Sequence, residues 1–274
     1  MDRRTFLKTF SFFILTQGLS ANEIVRATEA PVAPVNDSTG TAFTKNRQTV
    51  STHDIRLPKS DWPVFLTSLD RFSRIQATVG FGNFCILGFD QSLRIAKNYA
   101  KVGAFTRQEI EFIDKLFNTD AGVYGFLGKK TFHSMSDTIA ASKIKKTPGT
   151  GNYLFNGLPQ QLYHKISHDI GDQVVLTAGI RGMAKQFYLF LRKVKQTQGN
   201  LSLASRSIAP PGYSFHGVSD FDVGQVGFGA ANFTTRFSNT KVYKKMTQLG
   251  YIDFRYPQNN RLGVRFEPWH IKVV

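Results

Sequence analysis

Twenty-five phenylalanines in a chain of 274 residues have to be sheltered from water, and nothing else in the sequence constrains the fold as much. Each Phe taken from solvent into a core contributes about 1.5–3 kcal/mol. The bulk of the chain is therefore expected to fold, around one substantial core or a core with an accessory region. Covalent staples are excluded: the single cysteine, Cys85, forms no internal disulfide, no tetrathiolate zinc site and no CxxC redox pair. It lies in the apolar run Phe84-Cys85-Ile86-Leu87 and reads as a buried, inert thiol.

The formal net charge is +16, which attracts polyanions such as nucleic acid or an anionic cell envelope. The basic residues are scattered and no nucleic-acid recognition motif accompanies them, so nucleic acid is not expected as a partner.

The first residues read as an address. Asp2-Arg3-Arg4-Thr5-Phe6-Leu7-Lys8 precedes a short apolar run, Phe10 to Leu15, and small residues near Ser20 and Ala21. A basic segment, a short apolar segment and small residues make a signal peptide, and the paired arginines resemble a twin-arginine export signal. The run is too short to span a bilayer, so no stable membrane span is expected after cleavage. Residues 1–30 are assigned to this signal, and export to the periplasm or cell envelope is expected. Residues 31–56 are rich in Thr, Ser, Pro, Ala and Asn and carry no helix or strand period, and they read as a flexible linker.

Residues 57–150 read as a helical accessory region. Thr106-Arg107-Gln108-Glu109 is a capping box, followed by Ile110, Ile113 and Phe117 on one helix face. Asn118 to Gly125 reads as a turn-rich break, and Lys143 to Gly151 as a loop. Residues 151–274 alternate. Gln173 to Thr177 reads as a strand, and Met183, Phe187, Phe190, Leu191 and Val194 mark a helix face. Asp220 to Gln225 is a short strand. Val242, Met246 and Leu249 mark a helix closed by Gly250, and Tyr251 to Tyr256 and Val264 to Val274 are strands. The fold class is therefore α+β, a small antiparallel sheet flanked by helices.

Two stretches gather metal-binding side chains. In Pro210-Pro211-Gly212-Tyr213-Ser214-Phe215-His216, a rigid turn presents Ser214 and His216, and a strand follows with Asp220 and Asp222 two apart, hence on one face. In Glu267-Pro268-Trp269-His270, the acid and the histidine are three apart. They reach one centre only if the strand is distorted, and Pro268 favours a bulge or edge. His164 and His168 also have helical spacing, but Lys165 stands where a zincin helix needs its Glu, so they read as surface or structural residues.

Ser-x-His, then Asp-Val-Gly, then Glu-Pro-Trp-His near the end of the sequence, resembles the VanY-type zinc D-alanyl-D-alanine carboxypeptidases, grouped with the lysostaphin and hedgehog-like metallopeptidases. Gly179-Ile180-Arg181, with Gln186 five residues on, is similar to that family's Ser-Gly-Tyr-Arg and its Gln. The resemblance covers Gly171 to Val274. It implies Zn2+ held by His216, Asp222 and His270, with a fourth position left for water. The interval from His216 to Asp222 is one residue shorter than the family pattern, and Asp220 stays as the alternative ligand. Further roles follow from the resemblance. Glu267 is the general base, and Arg181 pairs with the substrate carboxylate or polarises the scissile carbonyl. Gln186 and Ser214 position substrate, and Trp269 walls the site. The implied substrate is the peptidoglycan stem peptide. An L,D-carboxypeptidase, a cross-link endopeptidase and a catalytically silent wall-binding module are the alternatives on the same fold.

Overall fold

The computed structural model describes residues 50–274; the expected export signal and residues 31–49 of the expected linker lie outside them. The last residues of that linker are folded in. Asp54 pairs with Arg206 and accepts from Asn200 Nδ2 at 2.9 Å, and Ile55 N donates to Ser202 Oγ at 3.0 Å. Order therefore reaches three residues upstream of Leu57, because an acid amid polar sequence finds a basic partner far along the chain.

Helix α1 spans Trp62–Val79. Pro63 sits in its first turn, where a missing N–H costs nothing. Phe65, Leu69, Phe72 and Ile75 recur at helical spacing and are buried. Two helices follow, α2 (Phe81–Cys85) and α3 (Phe89–Asn98). Helix α4, Arg107–Asn118, opens with the expected capping box: Glu109 N donates to Thr106 Oγ1 at 3.2 Å, and Thr106 N donates to Glu109 Oε2 at 2.7 Å. Its buried face is Glu109, Phe112, Ile113, Leu116 and Phe117, so Ile110 lies at the margin of the stripe.

The basic segment from Lys143 to Gly151 is not all loop. Strand β1, Ile144–Lys146, pairs antiparallel with β2, Tyr153–Phe155, and only the turn between them is irregular. Lysines on a two-stranded hairpin with a solvated face leave no alternating pattern to read. Helix α5 (Leu158–Ile170) leads to β3 (Val174–Ala178), and α6 (Met183–Gln196) and α7 (Leu201–Ser205) follow. The chain then forms β4 (Phe221–Gln225), α8 (Lys241–Gln248), β5 (Asp253–Tyr256) and β6 (Glu267–Lys272). The main sheet has the order β3-β4-β6-β5, every neighbour antiparallel. The fold is α+β, as the alternation implied.

One aromatic core crosses the boundary drawn at residue 150. Met183, Phe187, Phe190, Leu191 and Val194 of α6 are buried among Phe65, Phe72, Ile113 and Phe117 of α1 and α4. The rings of Phe72 and Phe187 stack 5.7 Å apart. The helical region thus braces the helix that follows β3. A second core lies between the sheet and α5 and α8, where Leu176, Phe221, Val223, Trp269 and Ile271 meet Tyr163, Ile166, Val242 and Met246. No helix among the described residues is long and apolar enough to cross a membrane.

Candidate metal centre

The double proline ends in a turn that only glycine allows. Gly212 has φ of 87°, and a Cβ there would lie 2.8 Å from the Phe117 ring. Gly212 O accepts from Thr131 N at 2.7 Å and from Phe132 N at 3.0 Å, which fixes the turn against the helical region. A single 3-10 turn, Phe215–Gly217, then carries His216 inward. Asp222 on β4 and His270 on β6 are cross-strand partners. Antiparallel pairing of this kind sets side chains about 5 Å apart on one face.

His216, Asp222 and His270 are all buried, and each offers one ligand atom within 4.8 Å of the others. His216 Nδ1 lies 2.8 Å from Gly179 O. A carbonyl only accepts, so Nδ1 carries the proton and Nε2 presents a lone pair. Gly179 itself is pressed against β2, where a Cβ would stand 2.0 Å from Tyr153 O. His216 Nε2 faces Asp222 Oδ1 at 3.3 Å, and both atoms are buried without a hydrogen bond. Two buried acceptors facing each other call for a positive partner between them, and a metal cation supplies one. His270 completes the set: its Nε2 lies 3.1 Å from Asp220 Oδ2, and its Nδ1 lies 3.3 Å from Asp222 Oδ1. Two imidazole nitrogens and one carboxylate oxygen suit zinc.

The electrostatics fit the same picture. Burial, reinforced by the Arg181 charge, lowers the His216 pKa to about 4, so the ring is neutral at pH 7. Burial opposes the charge on His270 too, but the hydrogen bond to Asp220 and the nearby carboxylates of Glu267 and Asp222 outweigh it and raise the pKa to about 9. Burial also works against charge on Asp222, yet neighbouring His216 and Arg181 hold its carboxyl well below the usual range.

Asp220 has a different place from Asp222. It accepts from Arg255 Nε at 2.7 Å, Arg255 Nη2 at 3.0 Å and Val273 N at 3.0 Å, and it grips the outer nitrogen of His270. It braces a candidate ligand from outside the His216, Asp222 and His270 set. Arg181 lies against the same centre, with Nη2 donating to Asp222 Oδ2 at 2.6 Å. The guanidinium that the resemblance gave to substrate is thus tied to a candidate ligand, while still lining the adjoining pocket. Gln186 donates Nε2 to Pro210 O at 2.9 Å and so holds the double-proline turn; its Oε1 is buried without a partner beside the pocket. Ser214 and Glu267 line that pocket as well.

Glu267 and His270 do reach one place, and the register explains how. Two steps along β5, from Phe254 to Tyr256, match four along β6, from Ile271 back to Glu267. The extra residues bulge around Pro268 and turn Glu267 toward His270, Oε2 lying 3.6 Å from Nδ1. Trp269 does not wall the site. As the neighbour of His270 on a strand it faces the other way, into the sheet-helix core, with its ring 6.2 Å from that of Phe233. Tyr256 stands in its place, with its ring 4.9 Å from the His270 ring. Burial and the charges of Glu267 and Asp220 push its hydroxyl well above its ordinary pKa. Nothing in the sequence singled Tyr256 out; Asp220 was flagged by its spacing from Asp222. His164 and His168 are exposed on α5, away from this cluster.

Residues 159–274 match the family model described as VanY: D-alanyl-D-alanine carboxypeptidase. These residues form a VanY-family domain. Among solved structures, the chain is similar to the vancomycin-resistance D,D-pentapeptidase VanY from a VanB-type resistance cassette, a mutant in complex with Zn(II), at 21% identity and TM-score 0.37, over 50% of this chain and 82% of that one. It is also similar to VanYB in complex with D-alanine-D-alanine, at 18% identity and TM-score 0.40, over 54% of this chain and 84% of the other. A third similarity is to the LdcB LD-carboxypeptidase, at 18% identity and TM-score 0.37, over 54% of this chain and 66% of the other. No curated protein matches the chain. The VanY domain begins inside α5 and holds His216, Asp222, His270, Arg181 and Glu267. Its helix α6 completes its core with residues from outside the domain.

Proposed function

We propose that this protein is a zinc-dependent D-alanyl-D-alanine carboxypeptidase that trims peptidoglycan stem peptides after twin-arginine export to the periplasm or cell envelope. The reading rests above all on His216 Nε2 and Asp222 Oδ1, two buried acceptors 3.3 Å apart with no hydrogen bond, in a domain of a carboxypeptidase family.

His216, Asp222 and His270 would hold the ion, which would supply Lewis acidity for activating water and polarising a carbonyl. Hydrolysis adds a water oxygen to the scissile carbonyl carbon and breaks the bond to nitrogen. Glu267, in the pocket wall beside His270, takes the proton from water and returns it to the departing amine. Asp220 keeps the His270 ring turned so that Nδ1 faces the centre. Arg181 fixes Asp222 with one nitrogen, and its remaining N–H groups offer a planar partner for the terminal carboxylate of a peptide. The free Oε1 of Gln186 accepts a substrate N–H, and Ser214 adds a hydroxyl.

Mass spectrometry of defined muropeptides, incubated with the zinc-loaded protein with and without chelator, tests this. The expected result is chelator-sensitive loss of one terminal alanine from pentapeptide stems. Loss only from tetrapeptide stems replaces the reading with an L,D-carboxypeptidase, and scission of cross-links replaces it with an endopeptidase. Binding to wall material without any cleavage leaves a silent wall-binding module.

A further inference from the structure

Peptide hydrolysis puts negative charge on the carbonyl oxygen as water adds, and a donor placed there beforehand lowers the barrier. The resemblance offered that task to Arg181 as one of two alternatives, but its Nη2 is held by Asp222 at 2.6 Å. Tyr256 is differently placed. It ends β5, is 3% exposed, and lines the pocket with Glu267 and His270. Its Cα is the cross-strand partner of Glu267, and its ring stands edge-on to His270, with the planes at 75°. The phenol is therefore packed beside both the candidate base and a candidate ligand. Among the described residues its hydroxyl makes no hydrogen bond. A phenol is both donor and acceptor, and as a neutral group it donates without competing for the acidic ligands.

We propose that Tyr256 is a catalytic residue whose hydroxyl donates a hydrogen bond to the scissile carbonyl oxygen as that oxygen gains charge. The assignment rests on the peptidase reading of the site. Its contribution belongs to the transition state: the O–H stays intact, no proton is transferred to substrate, and the hydrogen bond shortens as charge builds and relaxes as the carbonyl re-forms. A planar carbonyl in the bound substrate gains little from it. Ser214, the other hydroxyl in the wall, sits on the turn before His216 and is not paired across the ladder with Glu267.

Tyr256→Phe removes one oxygen and keeps the ring against His270. With zinc-loaded full-length protein and a peptide ending in D-Ala-D-Ala, kcat is expected to fall on the order of 100-fold. KM and zinc affinity are expected to stay at wild-type values. Affinity for a phosphinate dipeptide, whose tetrahedral oxygens imitate the charged state, is expected to fall by a similar factor. An unchanged kcat, a rise confined to KM, or a parallel loss of zinc overturns the assignment. Glu267→Gln in the same assay separates the two levels. If it is inactive while Tyr256→Phe behaves as wild type, only the Tyr256 role fails. If it turns over normally, the reading of Glu267 as the base fails. A wild-type protein that cleaves no stem peptide overturns both.

Discussion

Asp220 grips the outer nitrogen of His270, Oδ2 to Nε2 at 3.1 Å, while being clamped itself by two nitrogens of Arg255 and by the backbone of Val273. The imidazole is therefore oriented from behind by an acid that cannot turn away. Orienting partners of this sort typically raise metal affinity roughly 10- to 100-fold. Asp220→Asn keeps the shape but weakens the grip, and zinc affinity is expected to drop by about that factor. Competition against a chromophoric chelator measures it. Wild-type affinity in this variant would place the orienting role elsewhere.

Removing the ion is expected to lower stability, because a ligand that binds only the folded state stabilises it by about 4 kcal/mol at a thousandfold excess over Kd. Thermal melts with and without zinc should therefore separate by several degrees in the wild type. His216→Ala removes the nitrogen that faces Asp222, and its melts are expected to coincide. A variant that keeps the full zinc shift would show that His216 is not a ligand.

Twin-arginine recognition depends on the guanidinium pair, which lysine does not reproduce. Replacing Arg3 and Arg4 together by lysine is expected to retain the protein in the cytoplasm. Cell fractionation followed by immunoblotting reads this directly, and unchanged export removes the address from the proposal.

Much of the candidate site was legible in the sequence because a metal centre would demand particular atoms. His216 and His270 each sit close to an acid in a turn or strand of unusual composition, and Pro268 announced the bulge that turns Glu267 inward. What was hidden depends on the third dimension. Trp269 faces the core because strand alternation sends it away from His270, whereas Tyr256 arrives on another strand with no local signature. The helices were legible where one apolar face repeats, as in α6. That α6 shares its core with α1 and α4 was not, since a stripe of Phe does not name its partner. The capping box at Thr106 was readable, but Arg71 was not foreseen as the buried partner of its Glu109.

That buried pair makes a sharp test of how the helical region is held. Arg71 donates Nε to Glu109 at 3.0 Å and Nη1 to the carbonyls of Val102 and Gly103 at 3.1 and 2.6 Å. Arg71→Met leaves the Glu109 carboxylate buried without its charge partner and is expected to cost about 3–5 kcal/mol. Chemical denaturation of the zinc-free protein measures the loss. A cost below about 1 kcal/mol would mean that the pair is solvated, as exposed pairs are.

Lys193 is expected to make stability depend on pH in the alkaline range. It lies on α6 with 7% of its surface exposed; burial, aided by the charge of Arg265 and opposed by Glu267, lowers its pKa from 10.5 to about 8. Below pH 8 the amine is charged in both folded and unfolded chains, and the folded state bears the full cost of burying it. Between pH 8 and 10.5 the unfolded chain binds more protons than the folded one, so stability rises with pH across that window. Lys193→Met keeps the length and removes the charge. It is expected to be more stable than wild type at pH 7, by about 2–3 kcal/mol, with the difference shrinking as pH climbs from 8 toward 10.5. Urea melts of both proteins at pH 7, 8, 9 and 10 measure the gap, and a gap that stays constant over that range rules out the lysine as its source.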